Sequence, residues 1–262
     1  MASNGFSISF RFARVWLRNF AVYRKIWKIS FLTPLLEPLF YLSAFGIGLS
    51  VMVGELSYRG TAMTYTAFLA PALIAMNVMN GAFFETTYAS FVRMYYQKTF
   101  DAMMATPLSL EEIITGEIVW GATKSVMVAA VITGVVSFFG YISYPSAFFI
   151  LPLAFLSGLA FGSLGMFFTS IVPSIEAFNL PVFLFITPMF LFSGTFFPLE
   201  NLPLWAQRVA YALPLTHLVD ATRAFSYGIP GLGILWNVLY LSAFVAVFYP
   251  IALVKMRKRL IK

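Results

Sequence analysis

The sequence has no cysteine and a single histidine, His217. Disulfide frameworks and thiolate metal sites are excluded, and one imidazole cannot make a cluster of metal ligands. Charge is scarce as well: 10% of the 262 residues are charged and 60% are hydrophobic. A water-soluble domain needs far more polar surface than that. Signatures of catalysis are also missing. There is no HExxH, no GxSxG and no paired Asp cluster of the kind a metal-dependent lipid transferase carries. The stretch GEIVWGATKS, residues 116–125, spaces Gly116 and Gly121 as a phosphate-binding loop would. Its Lys124 comes too late after the second glycine, and the segment lies in an apolar run rather than behind a strand. Neither a nucleotide site nor a metal site is expected in this chain.

What the sequence does have is long apolar runs, with 30 phenylalanines. Several windows exceed the ~20 residues a helix needs to cross the hydrocarbon core. They are continuous, unlike the short alternating segments of a barrel. The sequence therefore predicts an all-α polytopic membrane protein, with residues 1–262 forming a single domain. Six spans are expected, at about 29–53, 63–92, 113–139, 146–172, 177–197 and 232–254. No short apolar core followed by a small-residue cleavage site opens the chain, so no cleavable signal peptide is expected.

Ahead of the first span, residues 5–28 hold Arg11, Arg14, Arg18, Arg24, Lys25 and Lys28 and no acid. At roughly 100° per residue, Arg11, Arg14, Arg18 and Lys25 share one face. Trp16, Phe20, Tyr23 and Trp27 share the opposite one, and Arg24 and Lys28 lie near the boundary, where long side chains snorkel. This predicts an amphipathic helix in the headgroup plane, acting either as a topology anchor or as an element that moves with a cytoplasmic partner. With that helix inside, thirteen basic residues are cytoplasmic: these six, Arg93, Lys98, Lys255, Arg257, Lys258, Arg259 and Lys262. Only Arg59, Arg208 and Arg223 fall outside. The positive-inside rule then puts both termini in the cytoplasm. Topology accounts for the net charge of +7, and no nucleic-acid partner is expected.

The cytoplasmic elbow between the second and third spans, residues 93–112, is polar for so apolar a chain. TFDAMMATPLSLEEIITGE, residues 99–117, contains Asp101, Glu111, Glu112 and Glu117. Ser109 followed by Glu112 reads as a capping box that starts a helix, and the two adjacent acids favour its positive end. Pro107 disfavours helix at Thr106. A short helix, a turn and a second helix are expected, with Phe100, Met103 and Met104 forming an apolar patch of the adaptable kind methionine suits. The elbow is either a plain connection or a docking element.

Residues 198–230, PLENLPLWAQRVAYALPLTHLVDATRAFSYGIP, are too polar and too broken by proline for a span. One or two short amphipathic helices are expected at about 202–212 and 215–226, with Trp205, Tyr211 and Tyr227 at the interface. The segment either caps the outer face or re-enters the membrane as a gate, which requires protein or water to satisfy its backbone. Pro198, Pro203, Pro214, His217 and Arg223 are the candidate gate residues. Within the spans, Gly158 and Gly162, followed by Gly165, are read as internal packing positions in preference to a dimer seam. Pro181 and Pro188 invite kinks in the fifth span.

Glu37, Glu85, Glu117 and Lys124 lie inside expected spans, in the cytoplasmic half, where ionisable groups face protein or water. Glu85 is expected to pair with Lys124, either as a structural tie or as the lining of an inward-facing cavity. Arg93 stands about 12 Å along the helix from Glu85 at ~1.5 Å per residue.

Three stretches add a family resemblance: FETTYASFVRMYYQKTFDAMMATPLSLEEIITGEIVWGATKS (84–125), LFSGTFFPLENLP (191–203) and LPLTHLVDATR (213–223). In their order and spacing they resemble the ABC-2-type permeases over nearly the whole chain, and most of all the nodulation-factor exporter branch, which handles lipo-chitooligosaccharides. The resemblance implies that residues 98–108 form a coupling helix on an ATPase subunit, with Phe100, Asp101, Met103, Met104 and Pro107 as contacts. It implies re-entrant outer helices before the last span (residues 231–262 with the basic tail) and a homodimer above two ATPase subunits in a bacterial inner membrane. ATP and Mg would be bound by the ATPase, and no cofactor or metal by this chain. The implied cargo is an amphiphile, a lipo-oligosaccharide or lipid-linked glycan, in contact with membrane lipid. The alternative is a drug or another hydrophobic small molecule. A lipid-modifying enzyme lacks its metal or nucleophile here. A proton-coupled carrier would respond to neutralising Glu85 or Glu117.

Overall fold

The computed structural model describes residues 9–48, 54–58, 60–229 and 231–261. Residues 5–8 of the N-terminal helix, 49–53 at the end of the first expected span, Arg59, Pro230 and Lys262 lie outside the described residues. Helix α1 is Phe12–Gly48. Strands β1 (Glu55–Tyr58) and β2 (Thr61–Thr64) follow, then α2 (Tyr65–Tyr96), α3 (Thr99–Met104), α4 (Leu110–Phe138) and α5 (Ser146–Ile171). The chain ends with α6 (Glu176–Phe192), α7 (Leu204–Tyr211), α8 (Pro214–Ser226) and α9 (Leu232–Leu260).

Four of these helices, α2, α4, α5 and α9, are long and apolar enough to cross a membrane, and α6 is a shorter apolar helix. The protein is thus an all-α membrane protein with one small exception. The expected loop after the first span is an antiparallel hairpin, with Glu55 opposite Thr64 and Tyr58 opposite Thr61. Gly60, at φ 80°, supplies the left-handed residue that a two-residue connection requires.

Two boundaries need correction. An interfacial helix ending at residue 28 is not found, because α1 runs unbroken for 37 residues. No glycine or proline stands between Phe12 and Thr33 to interrupt it. Nor does its aromatic face point at lipid along its whole length: Trp16 Nε1 donates to Thr123 Oγ1 of α4 at 2.9 Å, and the Trp16, Phe20 and Tyr23 rings pack edge-on against Trp120. Helix α6 ends at Phe192 rather than near 197, after a π turn at Val182–Ile186 between Pro181 and Pro188.

Helix α2 is central. In its most apolar stretch 83% of residues are buried, against 22% for α9. Helices α2, α4 and α5 approach closely through small residues. A Cβ on Gly158 of α5 would stand 2.6 Å from Ala122 Cα of α4, and one on Gly165 would strike Thr86 of α2. The GxxxG stretch therefore packs internally. Pro203 directly precedes α7, and Pro214 occupies the first turn of α8, where its missing N–H costs nothing.

Candidate transport site and coupling elbow

Four ionisable side chains meet between α2 and α4. Lys124 Nζ lies 2.7 Å from Glu85 Oε2, the expected pair. Arg93 joins it: Nη1 stands 2.9 Å from Glu85 Oε1, and Nε donates to Glu117 Oε2 at 2.9 Å. Arg93, counted with the elbow, instead lies within α2, and its side chain is only 13% exposed. In a straight α-helix residue 93 would stand about 80° around the axis from residue 85. Two π turns, Glu85–Ala89 and Val92–Tyr96, wind more slowly and bring both residues to one side.

The remaining acceptor capacity is filled from the same two helices and from α1. Trp120 Nε1 donates to Glu85 Oε1 at 3.0 Å, Ser90 Oγ to Glu117 Oε2 at 2.6 Å, and Asn19 Nδ2 of α1 to Glu117 Oε1 at 2.9 Å. Two acids against two bases make the buried cluster neutral, the condition under which such charges are tolerable.

This cluster is also a cavity wall. A cavity of about 760 Å³ opens between α1, α2 and α4, within the range of small-molecule sites. Glu37, Glu85, Arg93 and Lys124 line it. So do the amides of Asn19, Asn77, Asn80 and Gln97 and the rings of Tyr23, Phe84, Tyr88 and Trp120. Tie and lining are therefore the same residues. Glu117 is fully buried behind this wall. Amides and charges supply donors and acceptors for hydroxyl, amide or anionic groups, and the rings supply apolar faces.

At the elbow, Lys98 adopts a left-handed conformation, φ 52°, and turns the chain into α3. Ser109 Oγ accepts from the Glu112 amide at 3.2 Å, and Glu112 Oε2 from the Ser109 amide at 2.9 Å, the capping box read from the sequence. The expected apolar patch is different. Phe100 is fully buried and Met103 is 9% exposed, because both pack into the chain's own core. Met104 is half-buried, and the outward residues are Asp101, Ala102, Ala105, Thr106 and Pro107. The elbow is strapped from several sides. Arg18 Nη2 donates to Thr99 Oγ1 at 3.4 Å, Arg11 Nη1 to the Pro107 carbonyl at 2.7 Å, and Ser9 Oγ to Glu112 Oε1 at 2.6 Å. Arg257 of α9 lies 3.4 Å from Glu111.

At the opposite end, Pro198, His217 and Arg223 share a cavity of about 190 Å³, whereas Pro203 and Pro214 do not line it. Asp220 organises the polar side: Tyr58 of the hairpin donates to it at 2.7 Å and Asn237 of α9 at 2.8 Å. His217 continues the chain, with Nδ1 2.8 Å from Asn237 Oδ1 and Nε2 3.0 Å from the Tyr211 carbonyl. Arg223, one of the candidate gate residues, is 4% exposed. Burial lowers its guanidinium to about 10, which leaves it charged at neutral pH.

Residues 11–227 match the family model described as "ABC-2 type transporter". The chain belongs to the ABC-2 type transporter family. It is 39% identical to Nodulation protein J of Rhizobium leguminosarum bv. trifolii over 254 residues, covering 97% of this chain and 95% of that protein. To Nodulation protein J of Rhizobium meliloti it is 37% identical over 246 residues, 94% and 92% of the two chains. The inner membrane transport permease YadH of Escherichia coli is 22% identical over 235 residues, 90% of each. The chain is thus an ABC transport permease, a transport subunit rather than an enzyme.

Sequence reasoning missed several residues of this permease's site. Arg93 was seen but misplaced, since nothing in its neighbours announces two π turns. Asn19 carried a signal, as a lone amide within an aromatic and basic helix. Asp220 carried one too, being the single acid between residues 201 and 262.

Proposed function

We propose that this permease is the membrane half of an ATP-driven exporter, working as a homodimer above two copies of a separate ATPase that binds ATP and Mg. Helix α1 beyond residue 28 and α6 complete a six-span topology in a bacterial inner membrane, with both termini cytoplasmic and α7 and α8 re-entrant. The cargo is an amphiphile, a lipo-oligosaccharide or lipid-linked glycan, whose polar part enters the large cavity while its acyl part stays in lipid.

One observation carries the reading: the charge cluster that forms the cavity wall is tied to the elbow through adjacent residues of α1. Asn19 holds Glu117 while its neighbour Arg18 holds Thr99 at the start of α3. A push on the elbow thus reaches the cavity through packed, hydrogen-bonded groups with few slack joints. Asp101 and Ala105, one turn apart and exposed, form the docking face, with Pro107 and part of Met104 at its edge. Phe100 and Met103 anchor it from within. The four aromatic rings of the cavity favour a second reading, export of a drug or other hydrophobic small molecule.

Affinity purification from native membranes in mild detergent tests the reading. An ATPase subunit is expected with the wild type and not with Asp101→Lys/Ala105→Glu. Its hydrolysis should rise with an acylated oligosaccharide and less with a cationic drug. Absence of an ATPase under conditions that preserve such complexes refutes the exporter reading.

A further inference from the structure

We infer that Pro71 is a hinge at the outer end of α2, and that Tyr227 and Arg223 of α8 are the positioning residues that close it. The link to gating rests on the permease reading; the hinge itself does not.

Proline has no N–H, so the helical bond from residue 71 to the Ala67 carbonyl cannot form. Pro71 is buried, and an open carbonyl there is costly, the more so in a membrane. The protein fills the gap from another element. The Tyr227 hydroxyl donates to the Ala67 carbonyl. Arg223 donates to the next carbonyl, Phe68, from Nε at 3.2 Å and Nη2 at 3.1 Å, and its guanidinium lies 3.7 Å over the Phe68 ring. The same Nη2 reaches the Gly194 carbonyl at 3.0 Å, where the chain leaves α6 at φ 70°. Tyr58 fastens the hairpin to Asp220 of the same helix.

Every one of these anchor points before α6 precedes Pro71 in the chain. Beyond it α2 continues to the Glu85 cluster. Two other helical prolines are not served in this way. Pro188 and Pro250 would expose the Leu184 and Ala246 carbonyls, and no side-chain hydrogen bond among the described residues reaches either. A helix that made its own bond at position 71 would not need α8. With proline there, the angle that α2 takes at residue 71 and the position of α8 become one variable, and two side chains set it.

The test uses full-length protein in nanodiscs, spin-labelled at Ala62 and Phe138, both exposed near the outer end. Pro71→Ala restores the N–H and should narrow the distance distribution while melting at or above wild type. Tyr227→Phe should broaden it. In the double variant Pro71→Ala/Tyr227→Phe the distribution should be narrow again, because Ala67 then has a partner of its own. That rescue is the readout a merely structural tyrosine would not produce. A Pro71→Ala distribution identical to wild type overturns the hinge, as does a Tyr227→Phe effect that persists in the Pro71→Ala background. Should Pro71→Ala not fold, Pro71→Ser restores the same N–H, and broadening in Tyr227→Phe alone still decides whether the hydroxyl holds that angle.

With the ATPase bound, a non-hydrolysable ATP analogue should shift the wild-type distances and leave those of Pro71→Ala in place. If no ATPase binds, the exporter reading fails while the nucleotide-free distances still judge the hinge. If the complex forms and both proteins shift alike, the gating role fails alone.

Discussion

Neutralising Glu85 should be more harmful than neutralising Glu85 and Lys124 together. The single change Glu85→Gln leaves Arg93 and Lys124 facing one carboxylate, Glu117, in a region where Glu85 is 6% and Arg93 13% exposed. Removing one partner of a buried ion pair costs about 3–5 kcal/mol, mostly from the charge left behind. Lys124 is 28% exposed and turns partly to the cavity, so the low end, about 3 kcal/mol, applies. In a chain of this size that corresponds to a fall of roughly 6–12 °C in Tm. The double variant Glu85→Gln/Lys124→Gln restores one acid against one base and keeps Trp120 within reach of a carbonyl oxygen. It should recover about 1–3 kcal/mol, the usual coupling between groups in one network.

Fluorescence-detected size exclusion after heating, on full-length protein in mild detergent, reads the difference directly. The reciprocal swap Glu85→Lys/Lys124→Glu should not rescue, because the new lysine would meet Arg93 Nη1, now 2.9 Å from Glu85. A swap that melts like wild type, or a double variant no better than Glu85→Gln, would refute the reasoning that Arg93 and charge balance govern this site.

Helix packing offers a contrast between glycines. Gly158→Ala places a methyl 2.6 Å from Ala122 Cα and should cost about 1–3 kcal/mol, whereas Gly134→Ala meets open space and should be neutral or stabilise by up to ~1 kcal/mol; both are read by the same melt. Ser109→Ala removes the acceptor for the Glu112 amide and should destabilise by about 1 kcal/mol, with faster hydrogen exchange confined to the first turn of α4. Arg259 donates to the Thr169 and Val172 carbonyls at the end of α5; Arg259→Gln should cost about 1–2 kcal/mol and raise protease sensitivity at residues 172–176.

Features encoded within a few residues of one another were legible without a structure. Composition and run length set the membrane class, because no other solvent tolerates so much apolar surface. The start of α4 follows from Ser109 and Glu112, and the start of α8 from Pro214, since a helix end is satisfied by its own neighbours. The pairing of Glu85 with Lys124 was also accessible, because few charges inside an apolar chain leave few partners. Other features depended on groups distant in sequence. Two π turns decide that Arg93 faces Glu85 and Glu117, and no residue preference marks them. Contact with the core turns Phe100 and Met103 inward, although their types suit an exposed docking patch equally well. A proline in α2 was visible in the sequence, but the donor that fills its open carbonyl comes from residue 227, and residue 223 holds the next carbonyl along. The sequence by itself determined what had to be buried and where helices could begin. Only the tertiary structure decided which buried polar groups meet, because that depends on helix winding and side-chain reach across elements far apart in the chain.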